Sequence, residues 1–127
     1  VGHTGSLAAT RCSMEALDLQ LKRILDVVDK LHGVALITAD HGNADEMYEM
    51  DKKTKLPKAD KNGNYKAKTS HTLNPVPCII YDNVTNGAYT VKADEGNFGL
   101  ANVAATMVNL MGYEAPAMWE ESIIDVK

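Results

Sequence analysis

The sequence has few cysteines and no long apolar run. Cys12 and Cys78 are the two cysteines in 127 residues, and they are not spaced as a C-x-x-C pair. The cysteines therefore imply neither a disulfide framework nor a zinc ribbon, and they fit a reducing, cytoplasmic setting best. No apolar run approaches the roughly 18 residues that a membrane-spanning helix needs. We therefore expect a cytoplasmic protein that has no membrane partner.

An excess of basic charge is also lacking. The formal net charge is −4, so the sequence has no basic footprint of the kind that nucleic-acid binding requires. With 45% hydrophobic residues, a chain of this length supplies one core, and we expect one domain or part of one. The opening residues 1–5 (VGHTG) resemble the middle of a loop. We therefore expect further residues to precede them.

What the sequence does contain is an α/β pattern of apolar residues. Residues 34–38 (VALIT) form a short apolar run, which is typical of a strand buried on both faces of a parallel sheet. Ahead of it, Ser6 or Thr4 can cap a helix and His32-Gly33 suits a helix end. Between these signals, residues 6–31 carry the apolar face of a long amphipathic helix: Met14, Leu17, Leu21, Ile24, Leu25, Val28 and Leu31.

The second half continues the pattern after an exposed interruption. Residues 49–68 lose all periodicity and carry seven lysines, which predicts an exposed, Lys-rich excursion with a hairpin as one option. Strands are predicted at residues 76–81 and 88–92. With about three strands, we expect the sheet to be incomplete without further chain. A second helix ends at Gly112, and its predicted apolar face is Leu100, Val103, Ala104, Met107, Val108 and Met111.

Four side chains are candidates for metal binding. Asp40 and His41 follow a predicted strand, where the crevice of an α/β sheet lies, and a carboxylate with an imidazole suits a divalent ion such as Zn or Mn. Taken alone, the pair is better explained as a turn cap and an exposed histidine. His3 and His71 occupy loops beside regular elements, which is where site residues concentrate. His32 is left out because the helix end already explains it.

Three segments of the chain resemble signatures of the 2,3-bisphosphoglycerate-independent phosphoglycerate mutases. They occur in the family's order: VGHTG (1–5), ITADHGNAD (37–45) and TSHTLNPVP (69–77). The tail is similar to the family's ending at LANVAAT (100–106), LMG (110–112), PAM (116–118) and SII (122–124). The resemblance covers nearly the whole chain apart from the Lys-rich excursion. Trp119 departs from the small residues expected there.

The resemblance implies an alkaline-phosphatase-like three-layer α/β/α sandwich that binds two divalent cations. Manganese is the expected metal, with magnesium or cobalt as options. Carried over by motif, His3 and His71 ligate one ion with an Asp upstream of the chain. Asp40 and His41 ligate the other ion with an upstream Asp and the nucleophilic Ser. Residues 1–127 are then the carboxy-terminal portion of a metal-binding domain, whose upstream part and phosphotransferase domain lie outside the chain.

The activity that the resemblance implies is the interconversion of 3-phosphoglycerate and 2-phosphoglycerate, a step of glycolysis and gluconeogenesis. It runs through a phosphoserine, without 2,3-bisphosphoglycerate. Two close metals suit this reaction, because phosphoryl transfer depends on neutralising charge on the transferred group. We expect residues 1–127 to be inactive alone, since each ion keeps two of its protein ligands and a catalytic site usually has at least three. The full-length protein is expected to be a monomer, whereas the fragment can self-associate.

Other interpretations stay open. The chain could belong to a phosphopentomutase, a phosphatase or a phosphodiesterase of the same superfamily, or it could be a non-catalytic module that kept the fold. The NPVP context at residues 74–77 favours the mutase. Asn43, Asp45 and Glu46 are near enough in sequence to support a ligand histidine, but turn-forming roles explain them equally well. The lysines of residues 49–68 are better explained as a solvated loop than as phosphate contacts.

Overall fold

Two helices and four strands form the regular structure in a computed structural model, which describes residues 1–93 and 98–127. The helices are α1 (Leu7–Lys30) and α2 (Val103–Leu110), and the strands are β1 (Val34–Thr38), β2 (Cys78–Asp82), β3 (Tyr89–Val91) and β4 (Ile124–Val126). Short 3-10 helices lie at Gly2–Thr4, Asn43–Asp45 and Leu100–Asn102. The chain divides into a first unit, residues 1–26 with 38–78, and a second unit, residues 27–37 with 79–127.

Helix α1 confirms the long amphipathic helix and shows how it ends. The Ser6 hydroxyl oxygen accepts a hydrogen bond from the Ala9 N–H at 3.3 Å, as an N-cap does. At the other end His32 takes a left-handed φ of 51°, and the Gly33 N–H donates to the Val28 carbonyl at 2.8 Å. This is a Schellman ending in which the histidine, not the glycine, is left-handed. Among the described residues, no helix is long and apolar enough to cross a membrane.

The apolar face of α1 is only partly covered. Leu21, Leu25 and Val28 are half-buried, one helical turn apart, while four other members of the predicted face are exposed: Met14, Leu17, Ile24 and Leu31. Strand β1 is likewise half-buried instead of buried on both faces as predicted. Cys78, the first residue of β2, is exposed. These positions are therefore less enclosed within this chain than their apolar pattern predicts.

The strands form two pairs, and the sequence had indicated only about three strands. Strands β1 and β2 make one two-stranded sheet, and Pro77 immediately precedes β2, where its missing N–H costs no ladder bond. Strand β3 pairs with β4 in antiparallel register, with Thr90 opposite Asp125. Strand β4 is absent from the sequence-based prediction. The Lys92 ammonium strengthens this pair through Glu121 at 3.0 Å and Asp125 at 3.6 Å.

The core of the second unit is built around a buried hydroxyl. Thr106 is fully buried, and its Oγ1 donates to the Asn102 carbonyl at 2.7 Å while accepting the Ile123 N–H at 2.9 Å. The buried face of the helical segment is therefore Asn102, Ala105 and Thr106, packed near the tail residues Ile123 and Ile124. The predicted apolar face was mostly wrong. Val103 and Val108 are half-buried, but the side chains that fit against the tail are small or hydrogen-bonding, and the other four predicted members are exposed: Leu100, Ala104, Met107 and Met111.

Replacing Thr106 with valine is expected to lower the free energy of unfolding by about 2 kcal/mol, because the isosteric side chain leaves the buried Ile123 N–H without its acceptor. Urea unfolding of the chain measures the loss. Thr90→Val, at an exposed position of β3, is the matched control and should stay within about 0.5 kcal/mol of the wild type. Equal stabilities for the two variants would contradict the role of the hydroxyl.

The Lys-rich excursion is exposed, as predicted, but it is more than one hairpin. Its backbone closes a ring of three hydrogen bonds, from Glu49 N–H to the Lys66 carbonyl, from Lys66 N–H to the Lys58 carbonyl, and from Lys58 N–H to the Glu49 carbonyl, at 2.8 to 2.9 Å. Isolated antiparallel bridges flank this ring, including one between Tyr48 and Ala67. The excursion therefore returns to its starting point, and the chain leaves it beside the segment where it entered.

Candidate metal centre

His3 is fixed at the start of the first unit by a tight turn. It lies in the single-turn 3-10 helix that precedes α1, and Gly5 closes that turn with a φ of 74°. A Cβ on Gly5 would lie 2.6 Å from the Ala67 Cβ, so a larger residue would meet both strain and a clash. The His3 Nδ1–H donates to the Thr69 carbonyl at 2.6 Å. This bond orients the ring and leaves Nε2 with a free lone pair.

His41 is positioned by the turn that follows β1. The Asn43 N–H donates to His41 Nδ1 at 3.2 Å, and the His41 side chain is 17% exposed. Because Nδ1 accepts a hydrogen bond, the proton of the neutral ring lies on Nε2. That nitrogen is 3.2 Å from His3 Nε2, so the network has His41 donating to His3. The two rings thus have opposite tautomers.

His71 completes a cluster of three imidazoles. Its ring stacks on His41 with centroids 4.1 Å apart and planes 16° from parallel, and its centroid is 5.2 Å from that of His3. One nitrogen from each of His3, His41 and His71 lies within 4.8 Å of the other two. Three of the four predicted ligands are therefore brought together, although they are far apart in sequence.

Asp40, the fourth predicted ligand, lies at the edge of the cluster. Its Oδ1 is 3.8 Å from His41 Nε2, and its side chain is 87% exposed. Within residues 1–93 and 98–127, the group whose ligand atoms are all mutually close consists of the three histidines. The carboxylate is next to the cluster and exposed, and its role as a ligand stays a prediction.

The donor set fits a divalent transition-metal ion. Imidazole nitrogens suit ions such as Zn, Co or Mn better than they suit calcium, which prefers oxygen ligands. His3 Nε2 and His41 Nε2 are 3.2 Å apart, so ions held by the two rings would be close neighbours, as in two-metal sites. The Asp40 carboxylate would add the negative charge that the imidazoles lack.

Asn43 belongs to this site, although the sequence interpretation left it out. Its side chain is buried, and its Nδ2–H donates to the Ser70 carbonyl at 3.0 Å. Glu46 also connects the two segments, through an ion pair with Lys68 at 2.8 Å. The signal in the sequence was an asparagine two residues after a candidate ligand in a glycine turn. That signal fits an ordinary turn residue just as well. Only the buried contacts in the structure distinguish a turn residue from one that supports the site.

A second concave surface lies in the second unit. It is a pocket of about 440 Å³ at the turn between β2 and β3, lined by Ile80, Asp82, Asn83, Thr85, Asn86, Gly87 and Tyr89. Asp82 accepts hydrogen bonds from the Thr85 hydroxyl, from the N–H groups of Thr85 and Val84, and from the Tyr89 hydroxyl. These bonds, the Thr85 hydroxyl first, hold the pKa of Asp82 far below its usual range. Burial, with the bond to Asp82, raises the pKa of Tyr89.

The α/β fold is of the alkaline-phosphatase type, and the three histidines form a candidate metal site within it. The chain belongs to the Metalloenzyme superfamily, whose domain matches residues 1–115. Over 126 residues it is 51% identical to the 2,3-bisphosphoglycerate-independent phosphoglycerate mutase of Trypanosoma brucei brucei, and 46% identical to that of Mesembryanthemum crystallinum. These matches cover 99% of the chain and 23% and 22% of the relatives.

A solved structure has the same fold over the whole chain. The phosphoglycerate mutase of Leishmania mexicana, crystallised at low cobalt concentration, superimposes with a TM-score of 0.91 at 47% identity. The match covers 100% of this chain and 23% of that one. The resemblance and the α/β fold class predicted from the sequence are thereby confirmed. The chain spans about a quarter of the length of these relatives, and it matches their carboxy-terminal part.

Proposed function

We propose that the chain supplies the metal centre of a cofactor-independent phosphoglycerate mutase, which interconverts 3-phosphoglycerate and 2-phosphoglycerate. The observation that carries the proposal is the convergence of His3, His41 and His71, with ligand nitrogens within 4.8 Å of one another. The mutases of Trypanosoma brucei brucei and Leishmania mexicana, similar over nearly the whole chain, support the choice of reaction. The activity is proposed for a protein of the relatives' length, not for the 127 residues alone.

The proposed ligands are those of the sequence analysis. His3 and His71 hold one divalent cation, and Asp40 and His41 hold the other. Manganese is the proposed metal, with magnesium or cobalt as alternatives, and the imidazole donors support a transition metal. Such ions, when bound, neutralise charge on the phosphoryl oxygens and lower the pKa of a coordinated hydroxyl. The chain's own residues then have to orient the rings and place their protons.

The hydrogen bonds of His3 and His41 orient the two rings and place their protons in different ways. His3 donates from Nδ1 to the Thr69 carbonyl, so its Nε2 carries the lone pair that can coordinate a metal once the hydrogen bond from His41 is released. His41 carries its proton on Nε2, because Nδ1 accepts the Asn43 N–H. For His41 Nε2 to become a ligand, that proton has to move to the other ring nitrogen, Nδ1. Metal binding through His41 is therefore expected to change the tautomer of this ring.

The cellular setting and the partner are proposed from the cysteines and the net charge. Cys12 and Cys78 are both free thiols, which is consistent with a reducing cytoplasm. The partner is the small phosphorylated substrate, since the net charge of −4 does not favour nucleic acid. We propose a monomer for the protein of full length.

The experiment uses a protein as long as the relatives that includes residues 1–127. After its metal has been removed, this protein is expected to regain mutase turnover when manganese is added. Conversion of 3-phosphoglycerate to 2-phosphoglycerate, in the absence of 2,3-bisphosphoglycerate, is followed through a coupled enolase assay. The 127-residue chain, assayed in parallel, is expected to show no turnover. Release of inorganic phosphate without mutase product would indicate a phosphatase instead. Full turnover in excess chelator would overturn the metal assignment.

A further inference from the structure

We propose that Asn43 is the positioning residue that holds the three histidines together, an inference that rests on the metal centre of the proposed function. Asn43 is 3% exposed, and it contacts the backbone beside His3 and His71 as well as the ring of His41. The three histidines come from separate segments of the first unit. Asn43 is thus the residue through which their relative positions are fixed.

The side-chain amide fixes the segment of His71. Asn43 Nδ2 donates to the Ser70 carbonyl at 3.0 Å and makes a longer contact with the Lys68 carbonyl at 3.5 Å. The Ser70 carbonyl belongs to the peptide group that leads directly into His71. Holding that group therefore sets the point from which the His71 side chain starts.

The other end of the same amide fixes the segment of His3. Asn43 Oδ1 lies against Gly2, so closely that a Cβ on Gly2 would be 2.3 Å from it. Only a residue without a side chain allows this approach. Gly2 immediately precedes His3 and lies in the same 3-10 turn. The contact therefore fixes the distance between this turn and the turn that follows His41.

The main chain of Asn43 fixes the third ring. Its N–H donates to His41 Nδ1 at 3.2 Å, which sets the rotation of the imidazole and directs Nε2 toward His3. One residue thus acts on all three ligands: through Nδ2 on His71, through Oδ1 on His3 and through its N–H on His41. A shift of Asn43 would change all the distances between the ligand nitrogens together.

An asparagine suits this position chemically. It offers a donor and an acceptor on a short side chain that loses little conformational entropy when buried. An aspartate would turn an anionic oxygen toward the Ser70 and Lys68 carbonyls. An alanine would leave the Ser70 carbonyl without this donor and open a void beside Gly2. Losing an outer-shell partner of a metal ligand typically lowers metal affinity 10- to 100-fold.

Asn43→Ala is therefore expected to weaken cobalt binding by the chain by about 10- to 100-fold, while His71→Ala weakens it by more than about 100-fold. Cobalt is titrated into the metal-free chain and followed by its visible absorption, at a temperature where circular dichroism shows every variant to be folded. In the same metal-free samples, the ring nitrogen resonances of His3, His41 and His71 are recorded by NMR. They are expected to shift together in Asn43→Ala.

Asn102→Ala is the matched control. Asn102 is equally buried, 5% exposed, and its amide also bridges two backbone segments, from the Gly99 N–H to the Glu121 carbonyl, but in the second unit. The Asn102→Ala variant should leave the cobalt affinity of the chain and the ring resonances of the three histidines unchanged. If Asn43→Ala fails to fold, Asn43→Ser, which cannot reach the Ser70 carbonyl, takes its place.

Each result decides a separate point. Wild-type cobalt affinity and unshifted ring resonances in the Asn43 variants would overturn the inference. Equal losses of affinity in Asn43→Ala and Asn102→Ala would also overturn it, because the effect would then be general destabilisation. A wild-type chain that binds no cobalt would remove the metal site of the proposed function instead. The ring resonances alone would then decide the role of Asn43.

Discussion

Replacing His71 with alanine is expected to lower the affinity of the chain for manganese or cobalt by more than about 100-fold, because a lost ligand costs more than the 10- to 100-fold of a lost supporting contact. Calorimetric titration of the metal-free chain measures this directly. In a protein of the relatives' length, the same substitution should abolish mutase turnover. The His71 side chain is exposed, so the free energy of unfolding should change by less than about 0.5 kcal/mol.

His32→Asn is the matched control for this experiment. His32 is the remaining histidine of the chain and lies at the end of α1, where its left-handed φ of 51° can be adopted by asparagine without much strain. Its removal should leave metal affinity and turnover unchanged. If His71→Ala retains wild-type affinity and activity, His71 is not a ligand. If both variants lose metal, the binding is non-specific coordination by surface histidines.

Helices and strands whose apolar pattern is regular or continuous were predictable from the sequence. The 3.6-residue repeat of α1 extends over 24 residues, and both of its ends carry capping signals, so its bounds followed closely. Strand β1 was found at its predicted residues, since a short apolar run directly after a helix end leaves few alternatives. The left-handed residue was missed: Gly33 was the natural candidate, but His32 occupies that position.

The elements that depend on distant contacts were not predictable. Strand β4 is three residues long, and Ile124 is its single buried member, so it has no period to detect. Its position is set by pairing with β3, some 35 residues earlier. The buried face of α2 depends in the same way on the Ile123 N–H, which requires the hydroxyl of Thr106. A hydrophobicity pattern cannot indicate a position that is buried because of a hydrogen bond.

The metal centre also contains parts that local sequence could predict and parts that depend on distant contacts. His3 and His41 are separated by 38 positions, and no spacing rule connects them. The sequence analysis joined them only through the resemblance of three motifs to one family. The relatives confirm that resemblance, and the ligand roles stay a prediction. Asp40 was predicted with them, and since its carboxylate is exposed and 3.8 Å from His41 Nε2, its role as a ligand stays a prediction. Asn43 could not be separated from an ordinary turn residue until its buried contacts were known.

Replacing Asp82 with alanine is expected to lower the free energy of unfolding at pH 7 by about 3 kcal/mol, because the carboxylate accepts four hydrogen bonds at the turn between β2 and β3, from the residues Val84, Thr85 and Tyr89. Hydrogen bonds hold its pKa in the folded chain far below the ordinary value of 3.8. A lowered pKa adds stability that is complete above the unfolded value and is lost as pH falls below it. The difference between wild type and variant should therefore shrink below about pH 4.

Urea unfolding at a series of pH values between 7 and 2 tests this dependence. Asp125→Ala is the control from the same unit, because its exposed carboxylate lies 3.6 Å from Lys92 and a surface pair contributes at most about 1 kcal/mol. Asp82→Asn should fall between wild type and Asp82→Ala, since its amide keeps one acceptor oxygen for the Val84 and Thr85 N–H groups. A loss in Asp82→Ala that stays constant down to pH 2 would show that the charge of the carboxylate is not what stabilises the turn.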